Sequence, residues 1–207
     1  MKLLIGIPSL DFQHVDFVKS LTALIIRLKN DHIDFDLDIE SGTLVYCARD
    51  RISSKAINEG YTHVLWIDAD MVFTDDLFDS LLFNGKEMVS GICQSRRKGY
   101  HSCLFKNIEL NKLERFEEYP SETFEVAGCG FGCVLTDVSI LKDVHSNHGT
   151  CFLPMLSYGE DLAFCKRAAA LGHKFYADPT VQLGHIGHIA IYPEDHVKWK
   201  AETEKGA

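Results

Sequence analysis

The apolar and polar positions cut the chain into short runs whose period keeps changing. "LLIGIP", residues 3–8, is an unbroken apolar run closed by Pro8, the pattern of a short buried strand. Phe17, Val18, Leu21, Leu24, Ile25 and Leu28 then recur every three or four residues, which predicts an amphipathic helix. From Ile33 to Ile39 the period drops to two. Ile33, Phe35, Leu37 and Ile39 share one face and Asp34, Asp36 and Asp38 the other, so a half-exposed strand is expected. "YCARDRISSKAINEG" has helical spacing that stops at Gly60, and "THVLWI" is again an apolar strand. "TDDLFDSLLFNG" opens a helix with Thr74 as the expected N-cap and acids in its first turn. Strand and helix thus alternate three times. That order predicts an α/β fold, a mainly parallel central sheet flanked by helices and Rossmann-like in its N-terminal half.

The second half is less regular. "EMVSGIC" reads as a strand and "SRRKGYHSCLFKN" as a basic, polar loop or hairpin. "TFEVAGCGFGCVLTDVSIL" reads as strand, glycine-rich turn, strand. "GEDLAFCKRAAALGHKF" is a helix with acids at its start and Gly172 at its end, and "YADPTVQLGHIGH" is a short strand with two histidines. No repeat, low-complexity run or linker divides the chain.

One feature is at odds with a plain apolar core: the strand Val64–Ile67 runs straight into Asp68 and Asp70. Carboxylates that close repel each other, and desolvation adds to the cost. Two readings remain. The acids are solvated at the carboxyl end of a strand, where parallel sheets bind ligands, or a cation lies between them. Mg²⁺ and Mn²⁺ commonly take one or two carboxylates together with substrate phosphates, which would make the pair a holder for a diphosphate. The D-x-D-x-D of residues 34–38 is a different matter: Ile39 stands where a calcium loop needs glycine, and Val45 where it needs a bidentate glutamate.

Charge and cysteines narrow the partners. The formal net charge of −9 over 207 residues argues against nucleic acid as a partner. At the N-terminus the apolar run before Pro8 is too short for a signal sequence or a membrane span, so neither is expected. Seven cysteines, at 47, 93, 103, 129, 133, 151 and 165, form no C-x-x-C pair, which suits reduced, mostly buried thiols and a cytoplasmic location. Cys129 and Cys133 with His145 or His148 match no common zinc spacing, so they are expected to be core thiols.

Taken together, five stretches resemble the GT-A glycosyltransferases, most nearly a small, family-2-like single-domain form. "LWIDADM" is similar to their D-x-D motif and "LLIGIPS" to their first strand and its nucleotide-side turn. "YCARDRISSKAINEG" resembles their Ala-Arg-Asn helix, with Asp50 in place of the usual Asn. "VAGCGFGCVLTDVSIL" is similar to the hairpin that floors the sugar pocket, and "YGEDLAFCKRAAALGHKFYADPTVQLGHIGH" to the Glu-Asp helix followed by a metal-ligand histidine. No one stretch is specific; their order is.

The resemblance implies a GT-A fold over residues 1–207, with a nucleotide-sugar half of about 1–95, an acceptor half of about 96–190 and a tail of 191–207. It implies a metal-dependent, inverting transfer of sugar from a nucleotide-diphosphate sugar, a UDP-sugar above all, to a hydroxyl of a glycan or glycoconjugate. Asp70 would ligate the metal, Asp68 would touch the ribose or reach the metal through water, and His185 would be a third ligand ahead of His188. An imidazole beside carboxylate oxygens favours Mn²⁺ over Mg²⁺. Pro8 and Ser9 would meet the nucleobase, Arg49 would face the phosphates, and Asp68, Ala69 and Asp70 would hold the donor. Asp161 would be the general base, with Glu160 the second choice. The competing readings are a retaining transferase, a non-catalytic nucleotide-sugar-binding module on the same fold, and, more distantly, a haloacid-dehalogenase-like phosphatase. In the last, D-x-D sits on the first strand and continues Gly-Thr, whereas here Met71-Val72 follows on the third.

Overall fold

The structure is a computed structural model that describes residues 1–96 and 99–187. Its first half follows the alternation: β1 (Lys2–Pro8), α1 (Val15–Asn30), β2 (Asp34–Glu40), α2 (Val45–Asn58), β3 (His63–Ile67), a two-residue β4 (Met71–Val72), α3 (Leu77–Phe83) and β5 (Met88–Ile92). Then come β6 (Leu104–Glu109) and β7 (Lys112–Arg115), which form a hairpin, β8 (Phe124–Val126), β9 (Gly128–Cys129) and β10 (Cys133–Asp137). The chain continues with α4 (Val138–His148), α5 (Glu160–Ala170), β11 (Phe175–Gln182) and β12 (Gly184–His185).

Seven strands make one sheet in the order β2-β1-β3-β10-β5-β11-β8. β2, β1, β3, β5 and β11 run one way and β10 and β8 the other, so the sheet is mainly parallel. Alternate residues of its central strands feed two cores. Leu3, Ile5, Ile7, Leu65 and Ile67 pack toward α1 and α3, while Leu4, Val64 and Trp66 pack toward α2, α4 and α5. Gly6 lets α2 lie close on β1, since a Cβ there would stand 2.7 Å from the Ile52 Cγ2. The site lies where β1 and β3 end.

Three local expectations change. β2 is an edge strand, so its apolar face is only partly covered: Phe35 is half-buried, but Leu37 and Ile39 are exposed. Thr74 does not cap α3; its hydroxyl donates to Asp76, which takes the cap position itself. The strand expected through "VLTDVSIL" stops at Asp137. That carboxylate accepts the Ser139 N–H at 2.7 Å and starts α4, which ends at Gly149 with φ +72°.

Candidate active site

At the carboxyl end of β3 the chain turns. The Asp68 N–H donates to the Gly132 carbonyl (3.0 Å) and the Asp68 carbonyl accepts from Met71 N–H (3.2 Å), so Ala69 and Asp70 stand at the strand end. β12 lies antiparallel on β4, pairing His185 with Met71, and the Ile186 N–H donates to the Asp70 carbonyl at 2.8 Å. This two-residue ladder brings His185 Nε2 to 3.5 Å from Asp70 Oδ1. On the other side of the ring, Nδ1 lies 2.8 Å from the Gln94 carbonyl. A carbonyl only accepts, so Nδ1 carries a hydrogen and Nε2 is the atom turned toward Asp70. Histidines that ligate metals are oriented in this way.

Each member of this pair favours the charged form of the other. The bond to Asp70 raises the His185 pKa above its ordinary value against the effect of burial. Burial likewise opposes the charge on Asp70, but the His185 bond and the charges of His185 and Arg96 outweigh it and keep that carboxyl below its usual range. Arg96, half-exposed, forms an ion pair with the Asp70 carboxylate. Among the described residues no three His, Cys, Asp or Glu side chains converge on one point. Asp70 and His185 offer two donors, and on a Mn²⁺ or Mg²⁺ ion the remaining positions would fall to substrate oxygens and water, the usual habit of such ions. The residues present fit the ion on those terms.

Asp68 is set apart from that pair by Arg49. The guanidinium, on α2 and only 2% exposed, donates from Nη2 to Asp68 Oδ1 at 2.7 Å and from Nη1 to Glu160. It rests on Phe131 and Phe152, 5.5 and 6.0 Å from their ring centres. An arginine facing phosphates is therefore not what the structure places here. Arg49 is committed beneath the cleft, where it braces the end of β3 against the start of α5. Burial, joined by Asp70 and Glu160, pushes the Asp68 carboxyl up by more than Arg49 brings it down.

Glu160 and Asp161 open α5 after Gly159. Asp161 Oδ1 accepts the Leu162 N–H at 2.7 Å, and Oδ2 faces Gly130, where an added Cβ would stand 3.7 Å away. Burial first and then the neighbouring Glu160 raise the Asp161 pKa, a common condition for a general base. The loop before α5 is fixed by Asp50. One of its oxygens accepts from Cys151 N–H (2.8 Å) and Phe152 N–H (2.9 Å), and the other from the Thr150 hydroxyl. From the opposite side Arg167 donates to the carbonyls of Cys151 (3.1 Å) and Leu153 (2.6 Å). An asparagine keeps the oxygen that takes the two backbone donors, so Asp and Asn both serve at this position. Asp50→Ala leaves those donors unpaired and should cost about 2 kcal/mol, whereas Asp50→Asn should keep most of the stability. Urea denaturation of the two variants checks this, and equal midpoints would remove the clamp.

Above these residues is a cleft of about 530 Å³. Of the residues that the sequence points to, Pro8, Ser9, Asp68, Ala69 and Asp70 line it; Arg49, Glu160, Asp161 and His185 do not. Its lining also includes Phe12, His14, Thr43 and Ile186, which the sequence reading does not single out, and Arg96 from the basic stretch "SRRKGYH". Phe12 carried one signal, an aromatic in the polar stretch "SLDFQH"; it is 92% exposed at the cleft. His188 lies outside the described residues.

Comparison with solved structures places the fold. The chain is similar to A197 from STIV, with a TM-score of 0.62 and 20% identity over 91% of this chain and 87% of that one. It is similar to GalNAc-T7, crystallised with UDP, GalNAc and Mn²⁺ (TM-score 0.61, 9% identity, 91% of this chain and 43% of that one). It is also similar to the catalytic domain of Drosophila β1,4-galactosyltransferase 7, in complex with xylobiose (TM-score 0.55, 12% identity, 94% and 78%). No protein-family model matches the sequence, and no curated protein does. The architecture is that of the GT-A glycosyltransferases. Among the described residues no helix is long and apolar enough to cross a membrane.

Proposed function

We propose that this protein is a metal-dependent glycosyltransferase that moves a sugar from a nucleoside-diphosphate sugar, with UDP as the nucleotide, to a hydroxyl of a glycan or glycoconjugate. The observation that carries the reading is His185. Its Nδ1–H is tied to the Gln94 carbonyl and its Nε2 is aimed at Asp70, which lines the cleft together with Pro8 and Ser9. Such a cleft suits a nucleoside at one end and a diphosphate at the other. Asp70 and His185 are the residues that would hold the ion, and Mn²⁺ or Mg²⁺ there would supply charge neutralisation for a departing diphosphate. Arg96, paired with Asp70, is a cation within reach of the same diphosphate. Asp161 lies outside the lining of this cleft, and it takes the proton of the acceptor hydroxyl from the face away from the leaving group. Arg49 keeps Asp68 and Glu160, and through them the two halves of the site, in register.

The test is thermal unfolding with UDP. A ligand a hundredfold above its Kd stabilises by about 2.7 kcal/mol, roughly 5–10 °C in melting temperature for a chain of this size. UDP with Mn²⁺ should reach that shift, and UDP with a chelator should fall well short of it. In Asp70→Ala the metal-dependent part should vanish. Equal shifts with and without the metal would overturn the assignment.

A further inference from the structure

Two cysteines that the proposed transfer does not use face each other beside the cleft. Cys93 follows β5 and Cys103 precedes β6. Between them Gln94 and Ser102 form an antiparallel bridge, flanked by Ser95 N–H to the His101 carbonyl (2.8 Å) and Cys103 N–H to the Cys93 carbonyl (3.1 Å). Cys93 and Cys103 are thus directly opposed residues of an antiparallel pair. Residues so placed have Cα atoms about 5.5 Å apart when hydrogen-bonded, and disulfides span about 4.4–6.8 Å.

Their surroundings differ. Cys93 is 6% exposed, with its sulfur against Gly132, while Cys103 is half-buried and its Cβ lies against Gly130. Opposed residues of an antiparallel pair send their side chains to the same face, so the two cysteines are neighbours across the strands. Cys103 is the more accessible of the two; its interaction with Cys93 brings the Cys103 thiol down to about 7, and the same interaction and burial push Cys93 far above the ordinary range. One sulfur is placed to attack and its neighbour to resolve. Cys129, Cys133, Cys151 and Cys165 are buried.

We propose that Cys93 and Cys103 are a modification site, a dithiol that exchanges with low-molecular-weight disulfides such as oxidised glutathione to close a reversible cross-strand disulfide. The Cys103 thiolate attacks one sulfur of RSSR, forming a mixed disulfide and releasing RS⁻. Cys93 then loses its proton, and its sulfur attacks the Cys103 sulfur and expels the second RS⁻. Two protein thiols are oxidised, and RSSR is reduced to two RSH, which carry the two protons. Because the exchange needs neither metal nor nucleotide, its outcome is separate from the glycosyltransferase reading.

The experiment treats the intact protein with oxidised glutathione at neutral pH, blocks the remaining thiols by alkylation and digests with trypsin. Cleavage after Lys86, Arg96, Lys98 and Lys106 puts Cys93 on peptide 87–96 and Cys103 on 99–106. The expected product is these two peptides joined, with two thiols lost and both regained with dithiothreitol. In Cys93→Ser the reaction should stop at glutathione on Cys103, and in Cys103→Ser the buried Cys93 should remain alkylatable only after unfolding. Glutathione on Cys103 of the wild type with Cys93 still free would overturn the pair, as would modification of Cys47 alone.

Discussion

Asp161→Asn should lower sugar transfer by roughly 10²–10⁴-fold and leave UDP and Mn²⁺ binding nearly unchanged. The amide keeps the size of the side chain and the oxygen that accepts from Leu162 N–H, but it has no basic site for the acceptor proton. The cleft proposed for the donor is lined by other residues, so nucleotide affinity has no reason to move. A base on the face opposite the leaving diphosphate also requires inversion at the anomeric carbon. Proton NMR of the anomeric coupling in the wild-type product reads that directly. A product with the donor's configuration would remove Asp161 from this role, whatever the activity of the variant.

The pH profile offers a second view of the same carboxyl. Only the deprotonated form accepts a proton, so transfer should fall as pH drops through the Asp161 pKa. Burial and Glu160 raise that value, so the acid limb should lie above the range of an ordinary aspartate. Glu160→Gln removes one raising charge and should move the limb to lower pH, even if it also slackens Arg49. A limb that stays in place in Glu160→Gln would assign it to another group.

What the sequence could show of this site was whatever is local. β1, β3 and β5 are apolar runs, α1 and α5 have helical spacing, and Asp68, Asp70, Asp161 and His185 sit beside recognisable patterns. What it could not show depends on pairing between distant segments. β10 enters antiparallel between β3 and β5, and nothing in "CVLTD" marks that place. Asp137 as the cap of α4 is legible in retrospect, but the β-branched and leucine-rich "VSIL" after it suits a strand equally well, and only Ser139 and Gly149 decide for a helix. Arg49 shows the same limit more sharply. The resemblance to the GT-A enzymes implies that Arg49 faces the phosphates. The fold instead supplies two carboxylates from β3 and α5 and buries the cation between them.

Arg49→Met should therefore act on stability before it acts on substrate. Methionine keeps much of the apolar contact with Phe131 and Phe152, yet leaves Asp68 and Glu160 facing each other with no cation. Removing one partner of a buried ion pair costs about 3–5 kcal/mol. Asp68 and Glu160 keep 30% and 20% of their side-chain area in water, which places this case near the low end, about 3 kcal/mol. Lysine carries the charge but cannot fork between two carboxylates, so Arg49→Lys should recover only part of the loss. The sign of the pH dependence follows from Asp68. Its folded-state pKa already exceeds its ordinary value, and without Arg49 it rises further. The folded state then binds more protons than the unfolded state between those two pKa values, so stability falls as pH rises through that window. The deficit of Arg49→Met should be greatest near neutrality and shrink as pH falls through the raised Asp68 pKa. Asp68→Asn, added to Arg49→Met, should flatten that dependence. Urea denaturation of the wild type and the three variants at several pH values measures all of this. A single variant within about 0.5 kcal/mol of wild type, the range of ordinary surface substitutions, would show that Arg49 does not brace the site.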